Sequence, residues 1–317
     1  MSSILYNTLF FIKMPKNITL FLATYNKKNS ILFTFYTQGI LMLDNVLHLL
    51  TIEYSLILAT SQEHFQALKE VRADVVEHRY AQYPDLKKAK WFLFSQDDEQ
   101  SFIYLLQHNE TKKYVGSVRI FFVNKNTPVQ TIPMQRDCKV KDIEILTHDL
   151  PICEVSRLSL IHDQVEHNTF SELQLRTYLS LALMSATRLS FLLNDYEKMF
   201  AIMERSLHLI LKRQSVAFTP IGDAVDYYGV RFPFVINKED LSLAIEKTEK
   251  TMGKLTKYYL LELCKNPESF WNFIDDNPYL ERPDIHLDKI CQIFKEYGED
   301  VTMKTLLREM DNLSIST

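Results

Sequence analysis

The chain predicts a mixed α/β protein, with a mostly antiparallel central sheet, flanking helices and a further α-helical region after residue 238. Three observations carry this prediction. Short β-branched and apolar runs, at 54–60, 114–123, 154–160 and 198–203, alternate with stretches of helical periodicity. The runs 102–107 and 114–123 flank a polar turn at 108–113, the signature of a hairpin. Beyond Lys238 the pattern is helical only.

In order, strand 54–60 precedes a helix over 62–79, whose Phe65, Leu68, Val71, Val75 and Val76 share one face. The hairpin follows. Residues 124–151 are polar and proline-punctuated, which predicts a loop or excursion. Strand 154–160 leads into a long helix at 169–193, with Asn168 or Thr169 as N-cap. Then come strand 198–203, helix 204–214, and closing strands at 216–220 and 224–235. Helices are expected near 238–264, 283–297 and 302–311. This divides the chain into an extension at 1–41, one folded domain at 42–237 and a helical region at 238–317.

Composition removes several function classes. With 46% hydrophobic and 24% charged residues, the 317-residue chain has the make-up of an ordinary globular protein. A net charge of -4 gives no reason to expect nucleic acid as partner. Only 6 glycines argue against a glycine-rich phosphate cradle. The 4 cysteines, Cys138, Cys153, Cys264 and Cys291, show no metal-ligand spacing, so no metal is expected. They suit a reducing, cytoplasmic compartment, with Cys153 buried as a small hydrophobe. The apolar segments of 1–43 are broken by Lys13, Lys16, Lys27 and Lys28, and none reaches the roughly 18 apolar residues a membrane span needs. No secretory signal is seen.

The most informative stretch is Cys153-Glu154-Val155-Ser156-Arg157-Leu158-Ser159-Leu160. A carboxylate and a guanidinium inside an apolar strand are costly unless they pair or do chemistry. Strand alternation puts Glu154, Ser156 and Leu158 on one face, with Val155, Arg157 and Ser159 on the other. Glu154 and Arg157 therefore cannot pair unless a bulge intervenes. Around this stretch stand Val115-Gly116-Ser117-Val118-Arg119 upstream, then Met203-Glu204-Arg205, Pro220-Ile221-Gly222 and Tyr227-Tyr228-Gly229-Val230-Arg231-Phe232-Pro233 downstream. The ordered set, over 54–235, resembles the acyltransferases of the autoinducer-synthase branch of the GNAT fold. N-acyl amino acid synthases and exosortase-associated acyltransferases are the nearest by pattern.

The resemblance implies that the fourth strand (154–160) and the fifth (198–203) splay apart and hold an acyl thioester in the gap. A bulged fourth strand then supplies backbone N–H donors to the thioester oxygen. Glu154 is implied as base or amine-orienting carboxylate; a structural pairing with Arg119 is the competing reading. Arg157 and Asp98 complete the expected catalytic group. Arg72 matches the family's arginine on the first helix, and Asp98-Glu99-Gln100-Ser101 resembles the second half of its acidic motif. Ser95 stands where that motif has its first Asp, a departure that counts against S-adenosylmethionine as acceptor. The expected substrate contacts are Arg72, Trp91, Arg119, Ser156, Phe200 and Arg231. Phe200, Ile202, Leu181 and Met184 would line an acyl tunnel, although such spacing is also that of plain core. Arg231 suits an acceptor carboxylate, or equally an ordinary salt bridge. His162 and His167 are alternative bases.

The turn Ile161-His162-Asp163-Gln164-Val165-Glu166-His167-Asn168 has no glycine and two acids, a poor receiver of pyrophosphate. That favours a phosphopantetheine thioester on acyl carrier protein as donor, with no resident cofactor. Arg205, Lys212 and Arg213, or else Lys87, Lys88 and Lys90, would meet that acidic carrier. The expected function is transfer of a fatty acyl group from acyl carrier protein to the amine of an amino acid or related acceptor. Its alternatives are an acyl-homoserine-lactone-type synthase using S-adenosylmethionine, and a non-catalytic module of the same shape that binds lipid or carrier.

Overall fold

Strand β1 (Tyr54–Leu58) pairs antiparallel with β2 (Ser101–His108), whose hairpin with β3 (Tyr114–Val123) closes at the expected turn. The computed structural model describes residues 46–137, 140, 143, 147, 150–162, 167–246, 251–280 and 286–315. The expected extension at 1–41 lies outside these residues, and Leu47–Thr317 clusters as one unit. After β3 come β4 (Ile152–Leu160), β5 (Lys198–Met203), β6 (Thr219–Pro220), β7 (Val225–Asp226) and β8 (Val230–Asn237). The sheet runs β1-β2-β3-β4-β5-β8-β6, with β7 on β8. All pairs are antiparallel except β4–β5.

Helix α1 (Gln62–His78) starts at a capping box: Ser61 Oγ accepts from His64 N at 3.2 Å, while His64 Nδ1 accepts from Ser61 N at 3.4 Å. Three short helices follow, α2 (Pro84–Lys88), α3 (Lys90–Leu93) and α4 (Gln96–Glu99). The excursion before β4 contains α5 (Pro133–Asp137), with proline in the first helical position. Helix α6 (Glu172–Asn194) joins β4 to β5 and begins at Ser171 rather than at Asn168 or Thr169. The reason is Gln174, whose Oε1 accepts from Ser171 N at 3.0 Å and completes the cap. From Leu181 to Asn194 every residue of α6 is buried.

Helix α7 (Arg205–Arg213) follows β5. The tail forms α8 (Lys238–Glu246), α9 (Thr251–Lys265), α10 (Glu268–Asp276), α11 (Leu287–Tyr297) and α12 (Met303–Ile315). Helix α9 packs on α6, and α11 packs on α9 and α12. The sequence reading missed α10, which is held by Phe270 and Phe273 against Phe102, at ring separations of 6.4 and 5.3 Å. Cys264 and Cys291 pair as a disulfide between α9 and α11, with Cα atoms 5.2 Å apart. This corrects the reading of four scattered thiols: a separation of 27 residues in sequence is no guide to distance in space. Cys153 is fully buried and free. Among the described residues no helix is long and apolar enough to cross a membrane.

A candidate active site between two parting strands

β4 and β5 pair only from Ile152–Lys198 to Val155–Ala201. From Ser156 onward β4 has no partner on that side. The strands part as the fold resemblance implied. On the other side of β4, Ser156 pairs with Arg119 and Ser159 with Ser117, so Arg157 and Leu158 together face Val118 alone. This is a bulge, and Arg157 sits at its centre with φ +52°. A left-handed backbone at a non-glycine residue stores strain that its surroundings must hold in place.

The bulge corrects the alternation read from the sequence. Arg157 is turned to the side of α3, where its Nη1 donates to the carbonyls of Trp91 (3.2 Å) and Phe92 (2.5 Å). Its guanidinium also lies over the Trp91 ring, 5.4 Å from the centroid. Burial, then the nearby cations Arg119 and Arg72, push Arg157 down to about 9, so it stays charged at neutral pH. Among the described residues no carboxylate forms an ion pair with it.

The parted strands open a cavity of about 280 Å³. Glu154 and the bulge form one wall, and Ala201, Ile202 and Met203 the other. Ser180 and Met184 of α6 close its back, and Trp91, Phe92, Tyr80, Tyr227 and Tyr228 surround its mouth. Glu154 is 2% exposed, and its Oε2 accepts from Met134 N at the start of α5, at 2.6 Å. Burial raises its carboxyl to about 7; the Met134 bond and Arg119 oppose this without overcoming it. The competing pairing with Arg119 is not made, because Glu154 lies opposite Phe121 in the register. Arg119 instead donates Nε to Ser156 Oγ at 3.0 Å and faces Asp97 and Asp98 at 3.7 and 3.6 Å.

Arg72 and Asp98 occupy positions different from those expected. Both are fully buried and joined by two bonds of 2.9 Å, and neither lines the cavity. Asp98 Oδ2 also accepts from Ser95 N at 2.8 Å and from Ser95 Oγ at 3.2 Å. Burial alone would raise Asp98, but the charge and bonds of Arg72, then Arg119 and Arg157, hold it at about 2. At neutral pH Asp98 is therefore ionised and bonded to Arg72. Its Oδ1 also lies 3.6 Å from Nη1 of Arg119, whose Nε bonds Ser156 beside the bulge. Phe200 lies in a core cluster with Phe121, Met134 and Ile152, and neither it nor Leu181 lines the cavity, whereas Ile202 and Met184 do. Its side chain shares the packed face of Glu154, because the two are register partners.

Arg231 reaches the cavity, but its Nη1 donates to Glu204 Oε1 at 2.6 Å, an oxygen it shares with Arg79 at 2.6 Å. The ordinary salt bridge is the observed state. Gly229, at φ +107°, makes the turn that brings Arg231 there. His162 stacks on His78 with centroids 4.7 Å apart, and His167 meets Glu53 at 3.3 Å; neither lines the cavity. Residues 163–166 of that turn lie outside the described residues. Arg205, Lys212 and Arg213 are exposed on α7, whose Ser206, Leu207 and Ile210 line the cavity. Lys87, Lys88 and Lys90 are exposed on α2 and α3.

Sequence reasoning missed Met134, and it quoted Glu204 and Tyr227 within motifs without giving either a role. Pro133 at a helix start was a signal for the first. Tyr227 donates its hydroxyl to Asp137 at 3.1 Å, tying the closing strands to α5. No group of metal-binding side chains occurs among the described residues.

No family model and no curated protein matches the chain. Among solved structures, FeeM, an N-acyl amino acid synthase from uncultured soil microbes, overlaps 60% of this chain and 94% of its own at 11% identity, with TM-score 0.40. The acyl-homoserine lactone synthase LasI overlaps 60% of this chain and 93% of its own at 15% identity, TM-score 0.38. BjaI, a CoA-dependent acyl-homoserine lactone synthase solved with SAM and isopentyl-CoA, overlaps 61% of this chain and 87% of its own at 18%, TM-score 0.38.

Proposed function

We propose that this protein is an N-acyltransferase that moves an acyl group from the thioester of acyl carrier protein to the amine of an amino acid or related acceptor. The observation that carries this reading is Glu154, a buried carboxyl raised to about 7, on the wall of a slot whose other features suit a thioester. A general base works best when its pKa is near the working pH.

The reaction is written on these groups as follows. The acyl chain enters between β4 and β5, and its carbonyl oxygen meets backbone donors on the unpaired edge of β4. Glu154 takes a proton from the acceptor nitrogen, whose lone pair attacks the thioester carbon. The C–N bond forms, the C–S bond breaks, and the departing thiolate takes up the proton that Glu154 received. Arg157, charged and without a carboxylate partner among the described residues, suits an acceptor that brings its own carboxylate. Trp91 and Tyr228, 6.5 Å apart at the cavity mouth, supply apolar surface for the rest of the acceptor. Arg205, Lys212 and Arg213 give the mouth a basic approach for an acidic carrier.

The test is mass spectrometry of lipid extracts from cells expressing wild type or Glu154→Gln. An N-acyl species made by wild type and greatly reduced in the variant is expected. The same species at equal levels in both would remove Glu154 as base, and no new species under varied acceptors would remove the transferase reading.

A further inference from the structure

Four arginines, Arg79, Arg119, Arg157 and Arg231, line the cavity against three carboxyls, Asp137, Glu154 and Glu204. Arg119 is met by two further acids, Asp97 and Asp98, at 3.7 and 3.6 Å. Arg79 and Arg231 are not served in this way. Both donate to one oxygen of Glu204, Oε1, each at 2.6 Å. Burial would raise the Glu204 carboxyl, but the charges and bonds of Arg79 and Arg231 hold it below its usual value, so it is ionised at neutral pH. One carboxylate therefore faces two guanidinium ions, and the trio carries one positive charge in excess. Among the described residues neither arginine has a second acidic partner. Glu204 takes only Nη2 of Arg79, which leaves donors on the other nitrogens of that side chain.

The place of this trio is informative. Arg231 Nη2 donates to the Tyr80 hydroxyl at 3.2 Å. The Tyr80 ring lies 6.0 Å from that of Phe92, and the Phe92 ring lies 5.1 Å from the guanidinium of Arg157. Two cationic points without matching acids thus stand at the two ends of one aromatic pair, at the cavity mouth. The side chain of Arg79 is 49% exposed and that of Glu204 36%, so a ligand arriving from solvent can reach the trio.

We infer that Arg79 and Arg231 form a second anion site, and that the acceptor is an amino acid with an acidic side chain. Its α-carboxylate meets Arg157, its side-chain carboxylate meets the trio, and its amine is presented to Glu154. A neutral side chain would leave the excess charge of the trio unmatched, whereas a carboxylate accepts from the free donors of Arg79. This narrows the acceptor and rests on the transferase reading above.

The experiment measures transfer from octanoyl acyl carrier protein to L-glutamate and to L-glutamine, in wild type, Arg79→Gln and Glu204→Gln. Wild type is expected to favour glutamate by about tenfold in kcat/KM, expressed in KM. Arg79→Gln, which leaves a neutral Arg231–Glu204 pair, should bring the two acceptors level. Glu204→Gln, which adds a second excess charge, should widen the preference for glutamate. A merely structural role would not move the two variants in opposite directions. Arg79→Gln alters a half-exposed side chain, so the test stands even if Glu204→Gln does not fold. Calorimetric titration with L-glutamate needs no turnover and should show binding to wild type that weakens by about tenfold in Arg79→Gln. Equal transfer to both acceptors in wild type would overturn this inference and leave the transferase reading standing. Glutamate binding that depends on Arg79, with no transfer to either acceptor, would support the site and remove the transferase reading. The phosphate of the carrier's pantetheine arm is the other source of an anion. If Arg79→Gln raised KM for octanoyl acyl carrier protein but not for octanoyl pantetheine, with the ratio between acceptors unchanged, the inference would fall.

Discussion

Replacing Glu154 by glutamine removes one ionisable group from the wall of the cavity and keeps its shape. Its carboxyl is raised from 4.5 to about 7 by burial, so the folded protein holds that proton more tightly by about 3 kcal/mol, at about 1.4 kcal/mol per pH unit. The sign follows from the direction: the stabilisation is complete below pH 4.5 and is lost as pH rises through about 7. Glutamine has no such dependence. Urea unfolding of both proteins at a series of pH values from 4.5 to 8 isolates the effect, because every other titrating group is common to the two. The stability of wild type relative to Glu154→Gln is expected to fall by about 3 kcal/mol across that range. In the same variant, acyl transfer is expected to drop by about 10²–10⁴-fold, and the wild-type rate should rise with pH through about 7. A difference in stability that stays flat with pH would refute the burial argument. A flat pH–rate profile would refute the assignment as base.

Asp98→Asn breaks a buried ion pair and should cost about 3–5 kcal/mol at neutral pH in chemical denaturation. Because Asp98 is held at about 2, the gap to wild type should narrow as pH falls from 3.8 through about 2. Phe200→Ala should lower stability by about 3–5 kcal/mol as a core truncation. Met184→Phe, in contrast, should leave the melting temperature nearly unchanged while raising KM for long acyl donors. Reversing Arg205, Lys212 and Arg213 to glutamate should raise KM for acyl carrier protein by about tenfold at low salt, and much less at high salt. The same change should leave KM for a free pantetheine thioester unaltered.

The elements were legible where periodicity is strong. Strand 198–203 and strand 114–123 have the expected bounds, and α1 differs from its expected range by one residue. Glu154 stood out because a carboxylate in an apolar strand is expensive. Its partner did not: Met134 contributes a backbone N–H, which every non-proline residue has, and only the fold of the excursion selects this one. Arg157 was assigned the wrong face because strict alternation presumes an unbroken ladder, and the bulge is a property of pairing with β3. Asp98 and Arg72 were noticed as charged residues, but a sequence does not say whether such residues face substrate or one another. Phe200 is the same case in apolar form, since core and tunnel share one spacing. The disulfide was invisible for a related reason, because the approach of α9 to α11 is set by tertiary packing.

The wholly buried second half of α6 has a practical consequence for anyone shortening this protein. A helix buried on every side needs cover on both faces; the sheet supplies one side and α9 supplies another. Ending the polypeptide at Asn237 would strip that second cover and turn part of the leucine-rich surface of α6 to solvent, inviting self-association. Expression trials should therefore treat the last eighty or so positions as upholstery that the sheet and α6 cannot shed.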